Sequence, residues 1–342
     1  MVGAAFVVLL NAASSAHGQA GAPPKVSLRG AGATFPAPLY EKWIQAYRQR
    51  APEVTISYDP VGSGEGQRRF LAEAVDFGAS DSALSDEQMA RVKAGARLVP
   101  VTAGIVVLAY NLPGLGGTLK LSRDAYTDIF AGRIRAWNDP RIRAANPELN
   151  LPNRSIAIVA RQDASGTTFA FTNHMSAISE GWRDRGPGVG NLVDWRGAAM
   201  LVRGNEGVAG RIKVSEGAIG YIEYHFAKRL GLSMALIQNR KGRYVEPSDR
   251  SGQIALASTA GQIPSNLRLF VPDPEGEESY PIVTYSWLLL YGRYPERDKI
   301  SALRKFVTWS LGEGQAYSRD LGYIPLPPEV TSLSLAALDR IE

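Results

Sequence analysis

Cysteine is missing from all 342 residues, which excludes a disulfide framework, thiolate metal sites, a cysteine nucleophile and a lipidated N-terminal cysteine. Histidine is nearly missing too. Only His17, His174 and His225 occur, the first of them within residues 1–20, so a zinc centre or a His-based triad lacks imidazoles and the other two are read as structural. Met1 to Ala20 carries no Lys, Arg, Asp or Glu. Val2 to Leu10 is mainly apolar and Gly18-Gln19-Ala20 supplies a small-x-small end, the pattern of an export signal without its basic n-region. Residues 1–20 are therefore expected to be cleaved on export, leaving no lipid anchor, and the apolar run falls short of the ~20 residues of a membrane-spanning helix. No transmembrane segment, internal repeat or low-complexity tract follows. A strong charge bias is also absent, since 38 basic residues face 33 acidic ones for a net charge of +5, and they are scattered. That balance argues against nucleic acid as a partner and fits an anionic ligand or merely a solvated basic surface.

What is present is ordinary globular composition, 45% hydrophobic and 21% charged, enough for one large domain or two medium ones. The chain is organised around Arg161-Gln162-Asp163-Ala164-Ser165-Gly166-Thr167-Thr168. It follows the apolar run Ile156 to Ala160, which predicts a buried strand, and precedes helical spacing at Thr168, Phe171, Met175 and Ile178. Unpaired N–H groups and the positive dipole end at a helix start favour an oxyanion. Ser165 and Thr167 add hydroxyl donors, Gly166 permits close approach, and Arg161 supplies a permanently charged planar fork. Taken alone, the same stretch reads equally as an N-cap by Ser165 or Thr167.

Three similar turns precede it. A strand from Val26 reaches Gly30-Ala31-Gly32-Ala33-Thr34-Phe35-Pro36, after which Leu39, Trp43 and Tyr47 predict a buried helical stripe. The Gly-x-Gly start is a weak dinucleotide fingerprint because Phe35 replaces its third glycine. The strand Val54 to Tyr58 leads through a Gly62-Ser63-Gly64-Glu65-Gly66 turn to a helix with Phe70, Leu71 and Ala74 on its apolar face. Phe77 to Ala79 ends in Ser80-Asp81-Ser82, and Ser85 with Gln88 predicts a capping box on the next helix. Asp81 thus projects from the carboxyl end of a strand, where open α/β sheets place ligands. Two long β-type runs, near 99–110 and 282–291, are long enough to cross between lobes. Ser122 is expected to cap a helix, Gly181 to Gly197 reads as irregular, Gly204-Asn205-Glu206-Gly207 opens a helix, and 232–278 has no clear period.

In order and spacing, the Gly30 to Pro36, Gly62-Ser63, Asp76 to Asp81, Arg161 to Thr167 and Gly217 to Tyr221 segments resemble the periplasmic phosphate-binding proteins, the solute receptors of phosphate ABC importers. The resemblance runs from about Ser27 to Ala235 and loosens beyond. It implies an α/β, two-lobed periplasmic-binding-protein fold of type II, each lobe a mixed sheet flanked by helices, with two inter-lobe crossings. The lobes are expected at 26–104 with 285–342, and at 105–284. It implies phosphate ligands at Thr34, Phe35, Ser63, Asp81, Arg161, Ser165, Gly166 and Thr167, with Asp163 holding Arg161. Relatives often have a second serine where Gly64 stands, at a position that is not a principal ligand. The implied protein is a periplasmic monomer that meets membrane permease subunits, with no cofactor, no metal and no catalytic residue.

A carboxylate beside an anion is repulsive unless the anion brings a proton. Hydrogen phosphate does and sulfate does not, so Asp81 would reject sulfate through an unpaired buried acceptor and like charge. Sites built around a ligand hydroxyl discriminate by roughly 10⁴–10⁵-fold. Arsenate carries the same proton and should be discriminated far less. Two other readings remain at this level: a sensor or scavenger of the same fold, and a secreted phosphoesterase using Ser63 or Ser165. The second lacks a nearby histidine base, a G-x-S-x-G elbow, a Walker lysine and a dense set of metal ligands.

Overall fold

The computed structural model describes residues 26–195 and 199–342, so the expected export signal at 1–20 lies outside the described residues. The chain opens with β1 (Val26–Gly32), α1 (Ala37–Arg50), β2 (Val54–Asp59), α2 (Ser63–Leu71), β3 (Phe77–Ser80) and α3 (Asp86–Ala90). The predicted stripe of α1 is realised: Leu39, Trp43 and Tyr47 are buried against the sheet, about 1.5–3 kcal/mol for each large apolar side chain. The Ser85–Gln88 capping box of α3 is formed in both directions. Next comes β4 (Ala96–Tyr110), a 15-residue strand in which only Arg97 is exposed, as expected of a strand covered on both faces.

The middle of the chain holds β5 (Lys120–Leu121), α4 (Arg123–Phe130, capped by Ser122 as expected), α5 (Pro140–Ala144), β6 (Ala157–Arg161), α6 (Gly166–Ile178) and α7 (Glu180–Arg185). It continues with β7 (Met200–Val202), α8 (Gly204–Val214), β8 (Ala218–Glu223), α9 (Tyr224–Arg229), β9 (Ser233–Met234), β10 (Leu236–Gln238), β11 (Tyr244–Val245) and α10 (Asp249–Ala257). The chain closes with β12 (Val283–Tyr291), α11 (Arg297–Leu311), α12 (Ala316–Asp320) and α13 (Pro328–Asp339).

Among the described residues, nine strands form one mixed sheet in the order β2-β1-β3-β12-β4-β8-β6-β7, with β9 also on β4, while β11-β10-β5 form a small second sheet. β4 joins the halves of the large sheet. Its residues Ala96 to Ile105 pair with β12, and Val106 to Tyr110 pair with β8, so its partner changes between Ile105 and Val106. The β1-β2-β3 and β6-β7-β8 groups are each parallel internally, and both send their carboxyl ends toward the same junction.

Two local readings need correction. Gly62 to Gly66 is not a turn ahead of a helix, because α2 already begins at Ser63 and has ended before Ala74. Its glycines serve close approach: a Cβ on Gly66 would lie 2.3 Å from Gly32 Cα, and one on Gly64 would lie 2.4 Å from Ala164 Cβ. The glycine-rich 181–197 stretch contains the short helix α7, which Ser179 caps at Trp182 N and which buries Trp182. The 232–278 region holds the short elements β9, β10, β11 and α10, and beyond α10 it is held by single side chains. Trp287 Nε1 donates to Leu267 O at 2.8 Å, Arg268 pairs with Asp86, and His174 Nδ1 donates to Pro272 O at 2.5 Å.

Candidate functional site

On the β1–β3 side, three strand ends meet. Gly32 has φ +151 and a Cβ there would sit 2.0 Å from Ala79 O, so only glycine lets the chain turn under β3 into Thr34 and Phe35. Phe35 is fully buried and its carbonyl accepts from Tyr323 Oη at 2.7 Å. Gly62 N donates to Gly32 O at 2.8 Å, which brings the first residue of α2, Ser63, to the same turn. Asp81 follows β3. It is 1% exposed, its Oδ1 accepts from Ser286 Oγ at 2.7 Å, and its Oδ2 lies 3.5 Å from Ser63 Oγ.

Facing it, β6 ends at Arg161, which is 2% exposed. Arg161 Nε donates to Asp163 Oδ1 at 2.7 Å and its Nη2 donates to Asp163 Oδ2, while Gly204 N donates to Asp163 Oδ1 at 3.0 Å. Ser165 is the N-cap of α6, followed by buried Gly166 and Thr167. Burial opposes charge on Asp163, yet the bonds and charge of Arg161 outweigh it and hold that carboxyl below the usual range.

The two sides touch directly. A Cβ on Gly166 would stand 2.6 Å from both Asp81 Cβ and Ser63 Oγ, and Gly64 N donates to Ala164 O at 2.8 Å. The described form is closed around the junction. It brings together all eight predicted ligand residues, Thr34, Phe35, Ser63, Asp81, Arg161, Ser165, Gly166 and Thr167, and places Asp163 behind Arg161. Among them only Thr34 is no more than half-buried.

Hydrogen-bond accounting shows what such a site can do. Each of the four hydroxyl oxygens already accepts an N–H: Ser63 from Asp81 N at 3.3 Å, Ser165 from Thr168 N at 3.2 Å, and Thr34 and Thr167 from Asn205 Nδ2 at 3.0 and 3.3 Å. A hydroxyl has one hydrogen, so Thr34, Ser165 and Thr167 are left as donors, while the hydrogen of Ser63 is directed at Asp81 Oδ2 at 3.5 Å. Arg161 Nη1 is buried with no hydrogen-bond partner. An unmet donor on a buried charged group costs more than the ~1–3 kcal/mol of a neutral one, and an anion would satisfy it. Asp81 is the exception in this set of donors. Burial pushes its carboxyl up to about 7, opposed by the Ser286 bond, the charge of Arg161 and Ser63.

Sequence reasoning missed three residues. In the sequence Asn205 is only part of a helix start, yet its Nδ2 bridges Thr34 and Thr167. Ser286 sits in an apolar strand at a register shift between Ser286 and Trp287, which turns it toward Asp81. Its one visible signal was polarity inside the 282–291 run. Glu223 is a fully buried carboxyl pushed well up by burial; both its oxygens accept from His225 N at 3.0 Å, and its own N–H donates to Asn205 Oδ1 at 3.1 Å. His174 and His225, the histidines among the described residues, fill structural places. His174 accepts from Tyr126 Oη at 2.9 Å, and His225 Nδ1 donates to Leu321 O at 2.8 Å. No cluster of three or more His, Asp or Glu that could hold a metal ion occurs among the described residues.

Comparison with known proteins supplies an independent line. A family model described as the PBP superfamily domain matches residues 17–313. The phosphate-binding protein PstS of Haemophilus influenzae is 38% identical over 311 residues, covering 90% of this chain and 90% of its own, and the PstS of Methanocaldococcus jannaschii is 35% identical over 341 residues, covering 94% and 87%. The solved structure of a high-affinity periplasmic phosphate-binding protein, PfluDING, bound with phosphate at pH 8.5, superposes with a TM-score of 0.75 at 21% identity, covering 91% of this chain and 93% of that one. That structure shares the two-lobed α/β fold. With a superfamily model and close relatives both spanning most of its length, the chain belongs to the PstS phosphate-binding protein family of the PBP superfamily.

Proposed function

We propose that this chain binds inorganic phosphate, as hydrogen phosphate, at the junction of β1, β3 and α2 with β6 and α6, and delivers it to the permease of an ABC importer. The observation that carries the reading is the pairing of opposites in one buried site. Arg161 Nη1 has no partner and the hydroxyls of Thr34, Ser165 and Thr167 are left as donors, while a single carboxylate, Asp81, stands among them as acceptor, with Ser63 Oγ 3.5 Å from it. A tetrahedral dianion that keeps one proton satisfies both kinds of group. Arg161, Ser63, Ser165, Thr34, Thr167 and the backbone at Phe35 and Gly166 hold its oxygens, Asp81 accepts its proton, and Asp163 keeps the guanidinium in place. Several charge-assisted bonds of about 1.5–3 kcal/mol each are enough for the about −8 kcal/mol of micromolar binding after ordering costs.

The division into lobes at 26–104 with 285–342 and at 105–284 is part of the same proposal, supported by the change of partner along β4 beside residue 105. Ligand bridging both lobes would favour the closed form, which is the form a permease can distinguish from the empty one. Export to the periplasm as a monomer, without catalysis, completes the reading. No helix among the described residues is long and apolar enough to cross a membrane. Isothermal titration of the mature chain tests it: phosphate should give a saturating one-site isotherm and sulfate none, and equal binding of the two would sink the reading.

A further inference from the structure

Asn205 belongs to neither the predicted ligand set nor any recognised turn, yet it is fully buried where the two sides of the site meet. It is the second residue of α8, whose start is tied to the Arg161 turn through Gly204 N and Asp163. Its amide orientation is fixed by its neighbours. Oδ1 accepts from Glu223 N at 3.1 Å, a backbone donor that cannot accept, so Nδ2 must face the hydroxyls. From there Nδ2 donates to Thr34 Oγ1 at 3.0 Å and to Thr167 Oγ1 at 3.3 Å, and Asn205 N adds a second bond to Thr34 Oγ1 at 3.3 Å. Thr34 lies beyond β1 and Thr167 lies in α6, so one amide group joins the two sides of the junction.

We infer that Asn205 is a positioning residue for the anion: it fills both lone pairs of Thr34 and one of Thr167, which turns both hydroxyl hydrogens toward the ligand, and it latches the two sides only when they close. This inference rests on the proposed anion site and adds to it a residue that does not touch the anion. The chemistry is one of polarity. With an amide at this position both threonines donate to the ligand. With a carboxylate both would turn and donate to the side chain, leaving oxygen lone pairs facing the anion.

Asn205→Asp keeps the acceptor for Glu223 N, reverses the end that faces the hydroxyls and adds a buried charge, so it is read against the same exchange in the Thr34→Val/Thr167→Val background, where only the charge acts. The expected result is a fall in phosphate affinity of at least about 100-fold by titration, clearly larger than in the Thr34→Val/Thr167→Val background; Asn205→Ala should cost about tenfold, chiefly as faster dissociation in stopped flow. The control is the Thr34→Val/Thr167→Val background, where Asn205→Ala should change affinity by less than about threefold because the hydroxyls it orients are gone. Two outcomes overturn the inference while leaving phosphate binding intact: wild-type affinity in Asn205→Asp, or an equal loss from Asn205→Ala in both backgrounds. Failure of the wild-type chain to bind phosphate, arsenate or sulfate overturns the site itself and this inference with it.

Discussion

The two sides of the site are built from the same parts and differ in one charge. Each places hydroxyl residues at a strand-to-helix turn, Thr34 and Ser63 on one side, Ser165 and Thr167 on the other. To these the β6–α6 side adds the guanidinium of Arg161, held by Asp163, whereas the β1–β3 side adds the carboxylate of Asp81, held by Ser286. A cation with an open donor attracts any tetrahedral oxyanion. A buried carboxylate repels most of them and admits one that donates a proton. On the proposed function, affinity and selectivity fall to opposite sides of the same junction.

Breaking the Asp81 side should have the largest effect. Asp81→Asn supplies an amide that donates as well as accepts, so phosphate-over-sulfate selectivity should fall by as much as about 10⁴-fold when both anions are titrated, with phosphate still bound. Breaking the other side should lower affinity without that change. Arg161→Ala should weaken phosphate by at least about 10–100-fold, the equivalent of ~1.5–3 kcal/mol, measured by the same titration. It also strands Asp163, so stability should fall, whereas Arg161→Lys should recover part of both.

The smallest effect is on the empty protein's stability as a function of pH. Asp81 titrates at about 7 in the folded chain, above the ordinary carboxylate value, so the native state holds a proton that the unfolded state has released. The stability contributed by this group is full below about pH 4 and is lost as pH rises through about 7. Thermal melts of the empty protein should therefore drop by a few degrees over that window, and Asp81→Asn should flatten this part of the curve.

Much of this contrast was legible in the sequence because it is written locally. Strand, small polar turn and helix occupy consecutive residues at Thr34, Ser63, Asp81 and Arg161–Thr167, and the α1 stripe at Leu39, Trp43 and Tyr47 follows from helical spacing alone. The supporting residues are distant in sequence. Ser286 lies 205 positions from Asp81, and Asn205 lies 171 from Thr34. No periodicity announces such a partner; each becomes visible only once the sheet has brought β12 beside β3 and α8 beside the Arg161 turn. The early start of α2 was hidden for a related reason. Glycine reads as a turn signal, but Gly64 and Gly66 are there because Ala164 and Gly32 press against them. The 232–278 region gave no pattern because its strands β9, β10 and β11 span only two or three residues each, and beyond α10 single contacts, such as Trp287 to Leu267 O, hold it in place of a repeating apolar face.

The division of labour can be tested most directly on the unaltered protein with an anion that copies hydrogen phosphate in shape and charge but lacks its proton. Monofluorophosphate at pH 8 is such a dianion, with fluorine where the hydroxyl stood. If Asp81 reads the ligand's proton, titration should show hydrogen phosphate bound and monofluorophosphate rejected by at least about 10³-fold, much as sulfate is. Binding of monofluorophosphate within about tenfold of phosphate would contradict the account, because every donor would then be satisfied and the carboxylate would be selecting nothing.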